Sequence, residues 1–297
     1  MRDYSRLLRI KTLTGGRMSF RPPPRQGATF GPDVCPGSWL NQSEATLDEL
    51  LGQIPACSTK GPRFTGSNSS VRGPASIEHW SSRGAEAKTS RIVGNTRQTK
   101  VIGAAYSHTA AAMLPTESVL EADCAVLLDW AAGVTRLRTQ PMRLRYRDTA
   151  VRHTTPDFGC DLHGAPYLIE VKPLSKARQI NPDQLLAITM AAVGAGARYA
   201  MLTERAIRRQ PRLANIQRMR RYGGFPVTAE DIQCVLRAVP EAPSVIKITE
   251  LERRLGKRWT RLRSTALALI YWHWLLVDWH VPLGPESILQ RRQGLSL

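Results

Sequence analysis

The chain of 297 residues is strongly basic, with a formal net charge of +18 and a pI of about 10.5. Its length allows one to three domains, and a hydrophobic content of 42% is enough to build at least one core. Arg supplies most of the positive charge. Because the planar guanidinium matches phosphate geometry, this composition favours a nucleic-acid partner over a basic surface that is merely solvated.

Cysteine usage and hydropathy narrow the class of protein further. The five cysteines are odd in number and contain no CxxC pair, which argues against a zinc ribbon and a secreted disulfide framework and predicts a reducing, cytoplasmic setting. The basic start, MRDYSRLLRIKTLTGG, lacks the apolar core of a signal peptide. The most apolar stretch, residues 265–277, is shorter than the roughly 20 residues that a membrane span needs, so we expect no membrane association.

Residues 1–97 differ in composition from the rest of the chain. They are rich in Pro, Gly, Ser and Arg, as in RPPPRQG and GPRFTGSNSSVRGP, and no hydrophobic period is sustained. This composition predicts a largely disordered basic region that touches DNA without sequence specificity. One short helix is expected there, over residues 44–54.

Residues 98–204 alternate between helical and extended patterns, in the order α-β-β-β-α-β. The first helix is predicted over residues 116–131, with Thr116 as its N-cap. The strands are predicted at residues 142–147, 151–162, 165–172 and 199–202, and the second helix at 182–193. In the first strand Arg143, Arg145 and Arg147 alternate with apolar residues, which predicts a basic outer face with a tendency to contact phosphate. The fold class is therefore α/β, a mixed sheet flanked by helices.

Residues 205–297 have mostly helical patterns and are expected to form a separate domain. The helices are predicted at residues 215–221, 228–237, 248–255 and 261–276, and a wing strand at 277–282, which is compatible with a small winged-helix module. An Arg-rich segment begins this region, and Arg208, Arg209 and Arg212 are candidates for phosphate contact, although a solvated helix face is an equal alternative.

The stretch TTPDFGCDLHGAPYLIEVKP, residues 154–173, contains the candidate site. A hairpin turn at His163-Gly164 places Asp157 opposite Glu170, with side chains about 4.5–5.5 Å apart at Cβ. Lys172 shares their face of the sheet. Two opposed carboxylates repel one another, and Mg²⁺ held by one or two carboxylates would relieve the repulsion. The alternative is a solvent-exposed strand face on which Lys172 simply forms ion pairs with the two carboxylates.

A third carboxylate is expected from the first helix. Glu121 borders the apolar stripe formed by Leu120, Cys124 and Leu128, so it can face the sheet. Ser118 and Glu121 also fit a capping box, in which Glu121 reaches back to the Ser118 amide. Glu117 is a competing candidate. Spacing alone does not choose between the metal and the capping roles.

At these residues the sequence resembles a known family. The segments TESVLEADCAVLLDW, TQPMRLRY, HTTPDFG and YLIEVKP, in this order, resemble the TnsA-type endonuclease subunit of heteromeric transposases, a restriction-endonuclease-like PD-(D/E)xK nuclease. The resemblance covers roughly residues 100–204 and extends faintly to the family's C-terminal winged-helix-like domain. It implies that Glu121, Asp157 and Glu170 bind the metal and that Lys172 is the catalytic lysine. Gln140, in the QP pair, matches a family feature whose role stays open.

The resemblance implies a function and a set of partners. A Mg²⁺-dependent endonuclease, with Mn²⁺ as a possible substitute, would cut double-stranded DNA at the 5′ ends of a mobile element during cut-and-paste transposition. A companion DDE-type transposase subunit would cut the 3′ ends, and an AAA-type ATPase would regulate both. The expected setting is the bacterial cytoplasm, at the nucleoid when active. The alternatives are a stand-alone restriction or repair nuclease and a non-catalytic adaptor that binds DNA and the ATPase.

Overall fold

A computed structural model of the chain describes residues 36–53, 60–62 and 103–293, all of which lie in one compact unit. Most of residues 1–97, with the basic tail predicted there, lie outside the described residues. No helix in the described ranges is long and apolar enough to cross a membrane. The boundary predicted between residues 204 and 205 remains a prediction.

A four-stranded mixed sheet forms the centre of the fold, in the order β3-β6-β7-β8. These strands are β3 (Val134–Thr139), β6 (Phe158–Leu162), β7 (Ala165–Val171) and β8 (Arg198–Leu202). The first three pair antiparallel, and β8 runs parallel to β7. The predicted α/β class with a mixed sheet flanked by helices is thus confirmed.

Helices and hairpins cover the two faces of this sheet. They are α1 (Pro36–Gly52), the hairpin β1 (Gly103–Ser107) and β2 (Ala112–Thr116), α2 (Val119–Trp130), the hairpin β4 (Leu144–Arg147) and β5 (Val151–Thr154), α3 (Leu174–Ala177) and α4 (Pro182–Gly194). The alternating residues Phe158, Ile169 and Val171 pack into the large core that includes α2, whereas Leu168 packs with β4 and α4 on the opposite face. Period-two alternation therefore divides the sheet between two cores.

The N-terminal helix α1 is longer than predicted and belongs to the main core. Leu47 and Leu51 are buried there. Glu44 is buried as well, and its Oε1 accepts hydrogen bonds from both the backbone N–H and the hydroxyl of Thr203. This segment is therefore part of the packed fold, which its Pro- and Gly-rich surroundings did not indicate.

The C-terminal part contains five helices and a small sheet among its described residues. They are α5 (Glu204–Ile207), α6 (Arg212–Met219), α7 (Ala229–Ala238), β9 (Val245–Lys247), α8 (Ile248–Leu255), α9 (Trp259–Tyr271), β10 (Leu275–Leu276) and β11 (Ile288–Arg291). The strands pair in the order β10-β11-β9. The helices agree with the predicted positions to within a few residues, but the wing strand predicted at residues 277–282 is wrong, because extended pairing occurs at β9, β10 and β11 instead.

Two further predictions within the sheet region need correction. Thr116 lies in β2, and the N-cap of α2 is Ser118, whose extended backbone lets its hydroxyl accept from the Glu121 N–H. The strand predicted over residues 151–162 is two strands, β5 and β6, separated at residues 155–157. The hairpin β1–β2 and the strand β3 were not predicted.

Candidate active site

The β6–β7 hairpin sets the positions of the two central carboxylates. His163 and Gly164 form its turn with positive φ angles of 50° and 79°, and the register places Phe158 opposite Ile169. Asp157, the residue before β6, is therefore level with Glu170, as the sequence predicted. Asp157 Oδ2 accepts a hydrogen bond of 2.7 Å from the backbone N–H of Val171, which ties the carboxylate across the hairpin.

Lys172 lies beside this pair at the end of β7. Its backbone N–H donates to the carbonyl oxygen of Leu202 at 3.0 Å, which keeps the residue in line with the sheet. Its Nζ donates to Glu170 Oε1. The Lys172 side chain is 35% exposed, whereas that of Glu170 is 9% exposed. Lys172 thus neutralises one oxygen of Glu170 while its own side chain stays partly exposed.

Burial and like charge raise the pKa of both carboxyls. The pKa of Asp157 rises from 3.8 to about 8, first because the group is buried and second because of the charge on Glu170. Burial also raises the pKa of Glu170, although the Lys172 ammonium opposes the shift. The charge on Glu121 contributes to the increase at both groups. The site therefore holds more negative charge than its own side chains neutralise.

Glu121 is held by the helix-capping interactions that the sequence allowed. Its Oε1 accepts from the Ser118 hydroxyl at 2.8 Å, and the Glu121 N–H donates to that hydroxyl oxygen at 3.1 Å. Its Oε2 accepts from the Glu117 N–H at 2.7 Å, where the Ser118 amide was expected as the donor. Because Glu121 also lines the same cleft as Asp157 and Glu170, the cap holds its carboxylate at the edge of the site.

These side chains line an open cleft with a volume of about 950 Å³. Its acidic lining is Glu117, Glu121, Asp157 and Glu170, and its basic lining is Arg143, His153, Lys172 and Lys176. Gln140 and the helix-start residues 118–120 complete one wall. The cleft thus combines an acidic centre with a basic margin. This arrangement suits a polyanion, because the carboxylates can hold a cation and the basic side chains can contact phosphates.

Of the six arginines predicted to contact DNA, the three near the cleft are available for that role. Arg143, Arg145 and Arg147 are exposed, and none pairs with an acid in the described part of the chain. Leu144 and Tyr146, between them, are buried. The predicted alternation is therefore confirmed, and the β4–β5 hairpin has one strand edged with free guanidinium groups.

The other three arginines are bound within the protein. Arg208 pairs with Asp123 at 2.7 Å and Arg209 with Asp48 at 3.0 Å, although both side chains remain nearly half exposed. Arg212 is 2% exposed and pairs with Asp48 at 2.7 Å. Its guanidinium joins α6 to α1 and is not available to a phosphate, which corrects the prediction for this residue.

The cleft offers the oxygen ligands that a hard divalent cation requires. Oxygen ligands from one or two carboxylates suffice for Mg²⁺, because waters and substrate phosphate complete its coordination. Glu170 Oε2 is buried without a hydrogen-bond partner in the described structure, and Asp157 lies next to it. These two residues fit such an ion. The described ranges contain no group of three or more His, Cys, Asp or Glu side chains that is arranged to hold a metal. This agrees with the carboxylate of Glu121 being bound to its own helix cap.

Comparison with known proteins gives no further assignment. No family model and no curated protein matches the chain. The residues of the cleft and the order of the sequence motifs are therefore the grounds on which a function can be assigned.

Two residues of the cleft were not given a role by the sequence. Gln140 is buried and bonds Glu117, and Lys176 contributes to the basic margin from the short helix α3. Gln140 was singled out by its place in the QP pair, but nothing in the sequence showed that its amide would meet the start of α2. No signal in the sequence placed Lys176 at the cleft, because α3 begins only at Leu174 and Lys172 lies before it.

Proposed function

We propose that the chain is the Mg²⁺-dependent endonuclease subunit of a heteromeric transposase, which cuts the 5′ ends of a mobile element. The observation that carries the proposal is the pair of Asp157 and Glu170. Glu170 Oε2 is buried without a hydrogen-bond partner in the described structure, the pKa of Asp157 is raised to about 8, and Lys172 is paired with Glu170. A hairpin whose charged face is simply solvated would expose both carboxylates and would leave no buried oxygen without a hydrogen bond. An arrangement that is costly for stability is typical of a functional site.

The chemistry of such a centre is hydrolysis of a phosphodiester. Asp157 and Glu170 would hold the cation, and Mg²⁺ or Mn²⁺ supplies polarisation of the P–O bond and a more acidic bound water. The reaction adds a water oxygen to phosphorus and breaks the bond from phosphorus to one sugar oxygen. Lys172, with its ammonium at the edge of the cleft, offsets the negative charge that grows on the phosphate oxygens.

The basic margin of the cleft would position the duplex. Arg143 borders the acidic centre, and Arg145 and Arg147 continue along β4 away from it. Successive outward side chains of a strand are about 6.8 Å apart, which is comparable to the spacing of successive phosphates on one DNA strand. Lys176, from the short helix α3, also lines the cleft, so a bound strand would meet cations contributed by two separate segments of the chain.

Restriction of this activity to transposon ends requires other subunits. None of the exposed arginines near the cleft forms a base-reading module by itself, and phosphate contacts position DNA without selecting its sequence. We therefore propose a DDE-type transposase partner, which would bind the ends and cut the 3′ strands, and an AAA-type ATPase regulator. The three-stranded sheet with α8 and α9 is compatible with a winged-helix-like module for such contacts.

The proposal is tested by mapping both strand cuts in a transposition reaction reconstituted with these two partners. Lys172→Met should abolish the 5′ cuts while 3′ cuts and complex assembly persist. Lys176→Met is the matched control, because it removes the same charge from the same cleft without touching either carboxylate. It should weaken DNA binding and leave the rate of the 5′ cut at saturating DNA nearly unchanged.

Other outcomes discriminate the alternatives. Sequence-specific cutting of naked DNA by the purified chain alone would favour a restriction or repair nuclease. Full 5′ cutting by Lys172→Met, with the partners present, would remove Lys172 from the chemistry. Full 5′ cutting by Asp157→Ala as well would leave an adaptor role as the better interpretation of this chain.

A further inference from the structure

Gln140 occupies its place in the cleft at an energetic cost. It is a non-glycine residue with a positive φ of 44°, a region that Gly or Asn adopts more readily. It is also 7% exposed, and its Oε1 is buried with no hydrogen-bond partner among the described residues. Because both features lower stability, packing does not explain the choice of glutamine here.

The hydrogen bonds of Gln140 join the two segments that carry the acidic residues. Its backbone N–H donates to the carbonyl oxygen of Asp157 at 2.8 Å. Its Nε2 donates to Glu117 Oε1 at 3.1 Å, and the Glu117 N–H in turn donates to Glu121 Oε2 at 2.7 Å. One residue is thus bonded to the start of β6 and, through Glu117, to the carboxylate of Glu121.

The orientation of the Gln140 amide follows from its partner. A carboxylate oxygen only accepts hydrogen bonds when ionised, so the NH₂ group must face Glu117 and Oε1 must point away from it. The backbone that follows Gln140 is fixed by Pro141, whose ring packs on Gly159. A Cβ atom on residue 159 would come within 2.8 Å of that ring. Oε1 is therefore a fixed, unpaired acceptor of a residue that lines the cleft.

We propose that Gln140 is a positioning residue of this centre: it holds the Glu121 and Asp157 segments at a fixed separation, and its Oε1 accepts a hydrogen bond from water bound to a divalent cation in the cleft. This inference rests on the proposed function, because it requires the cation. An acceptor outside the ligand set orients a bound water, and the loss of such a partner typically weakens metal affinity about 10–100-fold.

The test measures the thermal stability of the intact protein as Mg²⁺ or Mn²⁺ is added. Gln140→Leu removes both amide groups, and Gln140→Asn keeps an amide that no longer reaches Glu117 and suits the left-handed backbone. Gln184→Leu is the matched control, because Gln184 bonds the Tyr146 hydroxyl at 3.1 Å outside the cleft. Without metal, Gln140→Asn should melt at or above the wild-type temperature because Asn suits the left-handed backbone, whereas Gln140→Leu should melt near the wild-type temperature because it loses the bond to Glu117 together with the unpaired oxygen. The half-saturating cation concentration of both Gln140 variants should rise at least about tenfold, whereas Gln184→Leu should match the wild type.

The possible failures are distinguishable. If the Gln140 variants reach half-saturation at the same cation concentration as the wild type, the role given to Gln140 is wrong, but the proposed cation site is unaffected. A lower melting temperature without metal, together with wild-type half-saturation, shows that the residue is structural and overturns the inference too. A wild-type protein that no divalent cation stabilises overturns the proposed function, and the inference with it.

Discussion

Removing the charge of Asp157 should stabilise the metal-free protein at high pH. Asp157→Asn keeps the shape of the side chain and an oxygen that can still accept from the Val171 N–H. It removes the repulsion with Glu170 and the cost of burying a carboxylate. Most substitutions of a partly buried, hydrogen-bonded residue destabilise a protein, so the expected sign is itself diagnostic.

The pKa sets the pH range and the size of the effect. Because the folded-state pKa of about 8 exceeds the ordinary 3.8, the stability contributed by the protonated form is fully present below about pH 4 and is lost as pH rises towards 8. At ~1.4 kcal/mol per pH unit, the upper bound is about 5–6 kcal/mol. Water enters the open cleft, so we expect about 1–3 kcal/mol, or roughly 2–10 °C in melting temperature.

The assay is thermal unfolding of the wild type and Asp157→Asn at about pH 5 and about pH 9, with chelator and then with Mg²⁺. The advantage of the variant should be small at the lower pH and largest at the higher pH. Added Mg²⁺ should stabilise the wild type only and reduce the difference. Asp161→Asn is the control, because Asp161 is buried and paired with Arg136, so its loss should destabilise the protein.

Two results would refute this reasoning. One is an Asp157→Asn advantage that does not change with pH, because the repulsion exists only when the carboxyl is ionised. The other is a variant that is less stable than the wild type at about pH 9 without metal, which would mean that the carboxylate is satisfied within the protein.

Three further predictions concern other parts of the structure. Leu47→Ala should cost about 2–4 kcal/mol in urea unfolding because Leu47 is buried in the main core, and a loss below about 0.5 kcal/mol would mean that α1 does not dock. Ser118→Ala and Thr228→Ala should each cost about 1 kcal/mol, since both side chains cap a helix, but only the first should weaken the response to Mg²⁺. Replacing Arg145 and Arg147 by Gln should reduce the slope of log binding constant against log salt by about 1 each in a DNA titration, whereas replacing the ion-paired Arg253 should not.

The parts of the fold that the sequence predicted depend on local patterns. The alternation of Leu144 and Tyr146 with arginines specifies a half-buried strand whatever it pairs with. The His163-Gly164 turn fixes the β6–β7 register, because a two-residue connection leaves little freedom in pairing. The level position of Asp157 and Glu170 follows from that turn alone.

The parts that escaped prediction depend on distant contacts. The β1–β2 hairpin is rich in Ala and poor in β-branched residues, so its strand propensity is weak and its packing on α2 decides the structure. Glu44 meets Thr203 across 159 positions of sequence, and no local pattern indicates such a pair. The burial of Arg212 depends on Asp48 of α1 in the same way, which is why a basic run looked like a DNA-binding face.

The central claim is that Asp157 and Glu170 form a cation-dependent centre that cuts one strand at each transposon end. The most direct test is the ratio of 5′ to 3′ cuts in the reconstituted reaction, with Asp157→Ala in place of the wild type. In the proposed assembly the 3′ cuts would come from the companion transposase, so they report complex assembly in the same reaction. The account predicts a ratio that falls at least about a hundredfold while the 3′ cuts persist. An unchanged ratio would contradict it.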